Sequence, residues 1–388
     1  MRILTFTTLY PNPEQPHHGI FVENRLRHIL AGGGIAARVV APVPWFPFTA
    51  GPFGPYAAYA RVPAADTRFG IEVLHPRYAV IPKIGMNWTP GLLARASRPA
   101  LSRLRRDGFD FDLIDAHYFY PDGVAAARLA RAFRRPLVIS ARGTDINLIP
   151  DYPAPRRMIL EAAAQADAVI AVSQALAGRM ERIGIPSGKI AVLPNGVDAA
   201  LFAPPDRGAA RAALGLDGPA MIAVGNLLRS KGQDVAIRAL AALPGWTLLV
   251  VGGGADAAAF ETLARALGVG DRVRFLGRVP HDNLARLYAA ADVSVLASMR
   301  EGWPNVLLES MACGTPAIAS DVGGVREIVS APEAGLVLAE RTPEALAEAA
   351  RALLAAAPAR ERVRAHALKF DWERTAAAQR ALYERLIA

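Results

Sequence analysis

Short apolar runs alternate with amphipathic segments from the first residues of the chain. The runs are five or six residues long, which is typical of buried strands, and the segments between them repeat at the helical period. Predicted strands of the first half cover 2–7, 36–41, 112–116, 136–141, 167–172 and 189–193, and predicted helices include 20–31 and 121–133. Because helices separate the strands, the pattern indicates a parallel sheet that is covered on both faces.

The same pattern restarts after residues 203–219, a stretch rich in Pro, Gly and Ala. Predicted strands of the second half cover 220–224, 246–251, 272–276, 292–297 and 316–319, and predicted helices lie near 232–242, 256–267, 282–290, 305–313 and 343–356. We therefore predict two doubly wound α/β domains, 1–202 and 203–370. A final helix, 371–388, is expected to pack back on the first domain. Sheets of this kind bind ligands beyond the carboxyl ends of their strands, so two facing sheets would form a cleft with a site on each wall.

Composition adds limits on the class of protein. The chain has 388 residues, 52% hydrophobic and 20% charged, which fits well-buried domains and argues against disorder. Its formal net charge of +9 is carried mostly by arginine, which reflects either genome composition or attraction to anions. The arginines are scattered and have no interleaved aromatic platform, so nucleic acid is not an expected partner. The segment 42–60, rich in Pro and aromatic residues, is expected to be a long functional loop.

Targeting signals are weak in this sequence. Cys313 is the only cysteine, so no intrachain disulfide can form and a reducing compartment fits. The N-terminus reads as a strand rather than a signal peptide, and no apolar run is long enough to span a bilayer. We expect a cytoplasmic protein, with peripheral membrane contact left open.

The strongest local motif lies between Glu301 and Glu309, after the predicted strand 292–297. Pro304 precludes an earlier helix start and Asn305 is a good N-cap, so the N–H groups of Asn305, Val306 and Leu307 are expected to point out of a helix N-terminus. Such a terminus suits a diphosphate, and flanking carboxylates accept hydrogen bonds from vicinal hydroxyls. The alternative is an exposed loop glutamate and a solvated helix glutamate.

A second motif follows the strand at 220–224 and opens a helix. Arg229 and Lys231 are predicted beside the helix N-terminus, where the helix dipole disfavours cations unless an anion joins them. The placement favours phosphate binding, and the alternative is a pair of exposed loop cations.

Together these features resemble the family-4 retaining glycosyltransferases of the GT-B fold over nearly the whole chain. Glu301 and Glu309 match that family's E-x7-E motif, and Lys231 matches its loop lysine. Pro194–Asp198 and Met311–Pro316 match further motifs. The opening residues, with Pro11 to Pro13 and His18 to Phe21, look like the subgroup that builds bacterial cell-wall and capsular polysaccharides.

The resemblance implies a transfer from a nucleoside-diphosphate sugar to a hydroxyl of a glycan or lipid-linked acceptor, without cofactor or metal. It implies that Lys231, Arg229 and the helix N-terminus at Asn305 stabilise the leaving diphosphate, that Glu301 binds the donor sugar and that Glu309 binds the ribose. His117, just past a strand, matches the family's histidine near the reacting sugar. A packed histidine is the alternative, and a catalytically inactive sugar-nucleotide-binding subunit is the alternative function.

Two positions depart from the family pattern. Asn226 stands where members usually carry arginine, and Arg229 is a candidate to supply the missing charge. Arg142 stands where many members have histidine, shortly before Asp145; these two are acceptor-side candidates, although Asp145, like Asp122, has helix capping as an equal alternative. Gly19 is expected in a loop that contacts the diphosphate or the acceptor, unless that loop is a surface turn.

Two further segments are candidates for binding a metal ion and a membrane surface. Asp110-Phe111-Asp112 resembles a D-x-D metal motif, but it precedes a strand, so we interpret it as structural; no other spacing indicates a metal site. A helix within Asn87–Arg106 would combine leucines with arginines, which suits either an ordinary core helix or weak contact with anionic lipid. The nucleotide base, sugar, acceptor and linkage stay open.

Overall fold

A computed structural model describes residues 1–49, 55–80 and 85–388. Within them, the strands are β1 (Arg2–Phe6), β2 (Ala36–Val40), β3 (Val43–Pro44), β4 (Ala65–Arg68), β5 (Ile71–Leu74), β6 (Arg77–Tyr78), β7 (Leu113–His117), β8 (Leu137–Ser140), β9 (Ala168–Ala171), β10 (Ile190–Val192), β11 (Ala220–Val224), β12 (Thr247–Val251), β13 (Val273–Gly277), β14 (Val293–Leu296), β15 (Ala317–Ser320) and β16 (Gly335–Leu338).

The α-helices of the described residues connect these strands. They are α1 (Ile20–Ala31), α2 (Pro55–Arg61), α3 (Thr89–Arg106), α4 (Val124–Phe133), α5 (Thr144–Asn147), α6 (Pro153–Gln165), α7 (Gln174–Ile183), α8 (Arg207–Ala213), α9 (Gln233–Leu240), α10 (Ala257–Ala266), α11 (Leu284–Ala290), α12 (Asn305–Ala312), α13 (Val325–Ile328), α14 (Pro343–Ala356), α15 (Arg360–Ala367) and α16 (Trp372–Ile387).

The chain divides into two compact units. One unit combines Met1–Pro194 with Glu373–Ala388, and the other is Asn195–Trp372. The division falls before the predicted boundary at 202/203, so residues 195–202 belong with the second domain. The final helix α16 contributes Ala376, Leu382 and Tyr383 to the hydrophobic core of the first domain.

The first domain is built on a sheet with the order β10-β9-β8-β7-β1-β2-β5-β4. All neighbouring pairs are parallel except β4 with β5. The chain moves from β1 to β2 on one side and returns to β7 on the other, so the strand order reverses between β1 and β7. We call this position the first switch point.

The second domain has a fully parallel sheet with the order β13-β12-β11-β14-β15-β16. Its strands are nearly continuous apolar residues, because helices cover both faces. The order reverses between β11 and β14, which we call the second switch point. Doubly wound α/β domains in series are therefore confirmed.

Two segments bear on the sequence predictions. The predicted loop 42–60 contains β3 and α2, and its residues 50–54 lie outside the described part. The helix expected within Asn87–Arg106 is α3, in which Leu93 and Leu101 are fully buried and Leu104 nearly so. These three leucines therefore belong to the core of the first domain, whereas Leu92 is half-buried. The exposed positions of α3 include Arg95, Arg98, Arg103, Arg105 and Arg106.

Candidate functional site

The second switch point brings the two predicted motifs together. β11 and β14 are neighbours, so the loops that follow them leave the same edge of the sheet side by side. The backbone N–H of Met299 donates to the carbonyl of Ser230 at 2.8 Å, which ties one loop to the other. Gly232 allows this approach, because its φ is +79° and a Cβ there would lie 1.9 Å from the carbonyl oxygen of Ala297.

A part-buried ion pair joins these loops. Lys231 Nζ lies 2.7 Å from Glu301 Oε1, and the same oxygen accepts a hydrogen bond from Ser298 Oγ at 2.7 Å. The side chains of Lys231 and Glu301 keep 32% and 11% of their surface exposed. An ammonium has three N–H donors, so Lys231 can bind an anion while it holds Glu301.

The loop after β11 contains Asn226, which departs from the family pattern, and Arg229, the candidate to supply the missing charge. Asn226 is exposed, and its backbone carbonyl accepts a hydrogen bond from Gln233 Nε2 at 3.2 Å. Arg229 begins the 3-10 turn Arg229–Lys231, and Asp256 Oδ2 accepts from its backbone N–H at 2.8 Å. Its side chain is exposed. Asp256 thus fixes the backbone of the turn, while the charge that Arg229 is predicted to supply faces solvent.

Helix α12 starts one residue earlier than it would if Asn305 were its N-cap. Pro304 occupies the N-cap and Asn305 is the first helical residue, so the prediction of Asn305 as N-cap is wrong. The side chain of Asn305 instead accepts a hydrogen bond from Asn195 Nδ2 at 3.1 Å. Leu307 donates its N–H to the carbonyl of Pro304 at 3.1 Å. The first N–H groups of a helix have no carbonyl acceptor within that helix. Those of Asn305 and Val306 are therefore the best placed to bind an anion.

Glu309 lies one turn into α12, and side chains hold both its oxygens. His281 Nε2 donates to Oε1 at 3.1 Å, and the hydroxyl of Tyr288 donates to Oε2 at 3.1 Å. Burial opposes a charge on His281, but Glu309, with Asp198 and Asp282, raises the pKa of the imidazole above its ordinary value. Neither His281 nor Tyr288 was predicted, because no local motif connects them with Glu309.

The first switch point holds His117, the last residue of β7. His117 is 1% exposed and both ring nitrogens have partners: Asp115 Oδ2 lies 2.9 Å from Nε2, and Arg142 Nη2 donates to Nδ1. A guanidinium has no acceptor, so Nδ1 is unprotonated and Nε2 carries the proton. Burial lowers the pKa of His117 to about 4, which keeps the ring neutral at pH 7.

Asp145 stabilises the loop after β8. Its buried carboxylate accepts the backbone N–H groups of Phe119 and Gly143, each at 2.7 Å, and that of Arg142 at 3.0 Å. Asp145 lies inside α5, whose N-cap Gly143 has no side-chain cap hydrogen bond, so this geometry favours a role in holding the loop over both helix capping and binding of an acceptor. Arg142 is half-buried over the ring of Phe21, and burial lowers the pKa of its guanidinium to about 9.

The loop after β1 faces the same switch point. Asp122 accepts the backbone N–H of Thr8 at 2.7 Å and its hydroxyl at 2.9 Å, which joins this loop to the one after β7. Gly19, at the N-terminus of α1, has φ +70°, and a Cβ there would lie 2.2 Å from the carbonyl oxygen of Leu9. Gly19 is therefore required by the packing of the loop, and its contact with a ligand stays a prediction.

No group of three or more His, Cys, Asp or Glu side chains within the described ranges is arranged to hold a metal ion. Likewise, none of the helices in the described part of the chain has the length and apolar run needed to cross a bilayer.

Known families match both halves of the chain. The family described as "Glycosyltransferase Family 4" matches residues 34–201, and that described as "Glycosyl transferases group 1" matches 206–370. A D-inositol 3-phosphate glycosyltransferase of Xylanimonas cellulosilytica is 34% identical over 84% of each chain. A putative teichuronic acid biosynthesis glycosyltransferase, TuaC of Bacillus subtilis, is 30% identical over 90% of this chain and 88% of its own length.

Solved structures show the same architecture. A sucrose-phosphate synthase from Thermosynechococcus elongatus superposes with a TM-score of 0.82 at 25% identity, covering 99% of this chain and 98% of its own. The Anabaena protein HepE, in complex with UDP, gives 0.76 at 23% identity over 100% of both chains. The similarity of this chain to HepE supports the assignment of the fold. With these matches in both domains, the chain belongs to the family-4 glycosyltransferases of the GT-B fold.

Proposed function

We propose that this glycosyltransferase moves a sugar from a nucleoside-diphosphate sugar to a hydroxyl of a glycan or lipid-linked acceptor, with retention of anomeric configuration and without a metal. The observation that carries the proposal is the Lys231–Glu301 ion pair at the second switch point, which joins the loop after β11 to the loop that leads into α12. A cation, two carboxylates and a helix N-terminus are the groups that a diphosphate with two attached sugars requires.

The chemical step needs stabilisation of the leaving diphosphate. Negative charge develops on its oxygen as the glycosidic bond breaks, and Lys231 with the N–H groups of Asn305 and Val306 would offset that charge. Arg229 is exposed beside Lys231 and can add a second cation. Preorganised donors of this kind are usually the largest catalytic contribution, and loss of one costs roughly 10²–10³ in rate.

The carboxylates have separate roles in this proposal. Glu301, held by Lys231 and Ser298, would accept hydrogen bonds from the hydroxyls of the transferred sugar. Glu309, one turn into α12, would accept those of the ribose. A leaving phosphate oxygen would take the proton of the attacking acceptor hydroxyl, so that no protein nucleophile is needed.

The first domain would receive the acceptor. His117 is neutral and engaged at both nitrogens, so we propose it as a positioning residue that acts through Arg142 rather than as an acid or base. Arg142 and Asp145 remain acceptor-side proposals, the latter through the loop that it stabilises. We also propose a cytoplasmic location with weak contact at the inner membrane face, supported by the exposed arginines of α3.

A panel of UDP-, GDP-, ADP- and dTDP-sugars tests the proposal, first by thermal shift and then by release of the nucleoside diphosphate with and without EDTA. We expect one donor to stabilise the protein and to be turned over in EDTA. Binding without turnover, in the presence of any acceptor tried, would favour the inactive binding subunit. Activity that EDTA abolishes and manganese or magnesium restores would refute the metal-free mechanism.

A further inference from the structure

The carboxylate of Glu309 has a fixed orientation. Its oxygen Oε1 is bonded by His281 and its oxygen Oε2 by Tyr288, each at 3.1 Å, and its side chain is only 12% exposed. The two donors come from different elements: the 3-10 turn His281–Asn283 and helix α11. Rotation of the Glu309 carboxylate would break both hydrogen bonds. The carboxylate is therefore as rigid as the side chains of His281 and Tyr288 that hold it.

Those neighbours are themselves fixed by packing. Tyr288 is fully buried, and Phe202 contacts its ring edge-to-face with a centroid separation of 6.2 Å. Phe202 contacts the ring of His281 in the same way at 5.1 Å. One buried aromatic side chain therefore supports both hydrogen-bond donors, and none of these three side chains can shift without opening the cluster.

An ionised carboxylate offers about four lone-pair positions, two on each oxygen. Tyr288 and His281 use one position on each oxygen, so one position on each remains, and the pair can accept two hydroxyls from adjacent carbons. Ribose presents such a pair of hydroxyls at C2′ and C3′, whereas 2′-deoxyribose lacks the C2′ hydroxyl. A deoxyribose would leave a part-buried carboxylate oxygen without its hydrogen bond.

We infer that this site selects donors whose nucleoside carries ribose rather than 2′-deoxyribose, and that Tyr288 and His281 are the positioning residues that enforce the selection. The inference rests on the proposed function, because it requires Glu309 to face the nucleoside of the donor. It places UDP-, GDP- or ADP-sugars ahead of dTDP-sugars as substrates.

The test is calorimetric titration of the full chain with UDP, GDP and ADP, each beside its 2′-deoxy counterpart. For the nucleotide that binds tightest, we expect the deoxy form to bind roughly 10-fold or more weakly. The same pair is then measured in Tyr288→Phe and His281→Phe, which keep the aromatic packing and lose the donor. The exposed Tyr152 of the first domain gives the matched control Tyr152→Phe.

The expected result is that the ribo-to-deoxy affinity ratio falls toward one in both variants and keeps its wild-type value in Tyr152→Phe. A change in stability alone does not alter this ratio, which separates positioning from folding. A wild-type protein that binds ribo and deoxy forms equally overturns the selection, and an undiminished ratio in both variants overturns the role of Tyr288 and His281. Failure of every nucleotide to bind contradicts the proposed function itself.

Discussion

At the first switch point the polar side chains are buried and engaged with one another, whereas at the second they keep part of their surface exposed. His117 and Asp145 have 1% and 0% exposure, and both are bonded to their surroundings at several atoms. Lys231 retains 32% and Glu309 12%. The same topological position therefore holds a buried polar network in one domain and partly exposed polar groups in the other.

The difference has a physical origin in what each side chain can still do. Asp145 accepts three backbone N–H groups, so little of its acceptor capacity remains for a substrate. Among the residues that the structure describes, Glu309 accepts two side-chain bonds and Lys231 donates to one carboxylate. Variants of the second site should therefore alter catalysis and binding, and variants of the first should alter stability and positioning.

The largest expected effect belongs to Lys231→Ala. Turnover of the preferred donor should fall roughly 100- to 1000-fold, because the leaving diphosphate loses a preorganised cation. Affinity for the nucleoside diphosphate should also weaken, while the melting temperature stays close to wild type. Steady-state kinetics and calorimetry measure both. Lys369→Ala, at an exposed lysine of the second domain, is the control, and equal activity of the two variants would refute the assignment.

Asp145→Ala should act on stability instead. Removal of the carboxylate leaves three buried backbone N–H groups without their acceptor, which costs about 3 kcal/mol in the free energy of unfolding. Nucleotide affinity should not change. Hydrogen exchange at the amides of Phe119, Arg142 and Gly143 reports the loss locally, and Asp151→Ala, at an exposed ion pair, is the control. Unchanged protection of those amides would contradict the assignment of Asp145 to the loop.

His117 should show no titration between pH 5 and 8, because burial lowers its pKa to about 4. Its unfolded value is near 6.5, so the unfolded chain binds more protons between pH 4 and 6.5. The contribution of His117 to stability is thus present above pH 6.5 and is lost as the pH falls toward 4. Nitrogen-15 NMR should find the proton on Nε2. A midpoint near 6.5, or a proton on Nδ1, would contradict the hydrogen-bond assignment.

The smallest effect concerns the membrane. Leu93, Leu101 and Leu104 of α3 are in the core, so contact with acidic lipid is expected from its exposed arginines, at about 1 kcal/mol each near the surface, and from the exposed Trp88 at its N-cap. We predict weak binding to acidic vesicles that high salt removes and that glutamate at positions 103, 105 and 106 reduces. Co-sedimentation at two salt concentrations measures it. No sedimentation at low salt would show that these arginines do not bring the enzyme to lipid.

The sequence predicted both sheets because their strands are apolar on both faces. It did not predict β4, β5 or β16 of these sheets. The residues of β4 alternate between exposed and half-buried at the edge of the sheet, and such a strand has no apolar run to mark it. Helices α6 and α7 were also missed, because their apolar positions are spread among alanines and polar residues.

The candidate site was predictable only where its residues are neighbours in the sequence. Glu301 and Glu309 belong to one local motif, whereas Tyr288 and His281 reach Glu309 from separate elements. Asp115 is an intermediate case: its position two residues before His117 on one strand places both side chains on the same face, which is a detectable signal. The partners of a side chain across elements depend on packing, which the sequence pattern does not specify.

We propose that the second domain holds a nucleoside-diphosphate sugar and releases its sugar without a metal. The decisive measurement is proton NMR of the purified protein with UDP-, GDP-, ADP- and dTDP-sugars in EDTA. We predict release of one nucleoside diphosphate, with the new sugar signal first appearing in the anomeric configuration of the donor, and loss of both signals in Lys231→Ala. Absence of release from every donor, or a first product of inverted configuration, would contradict the account.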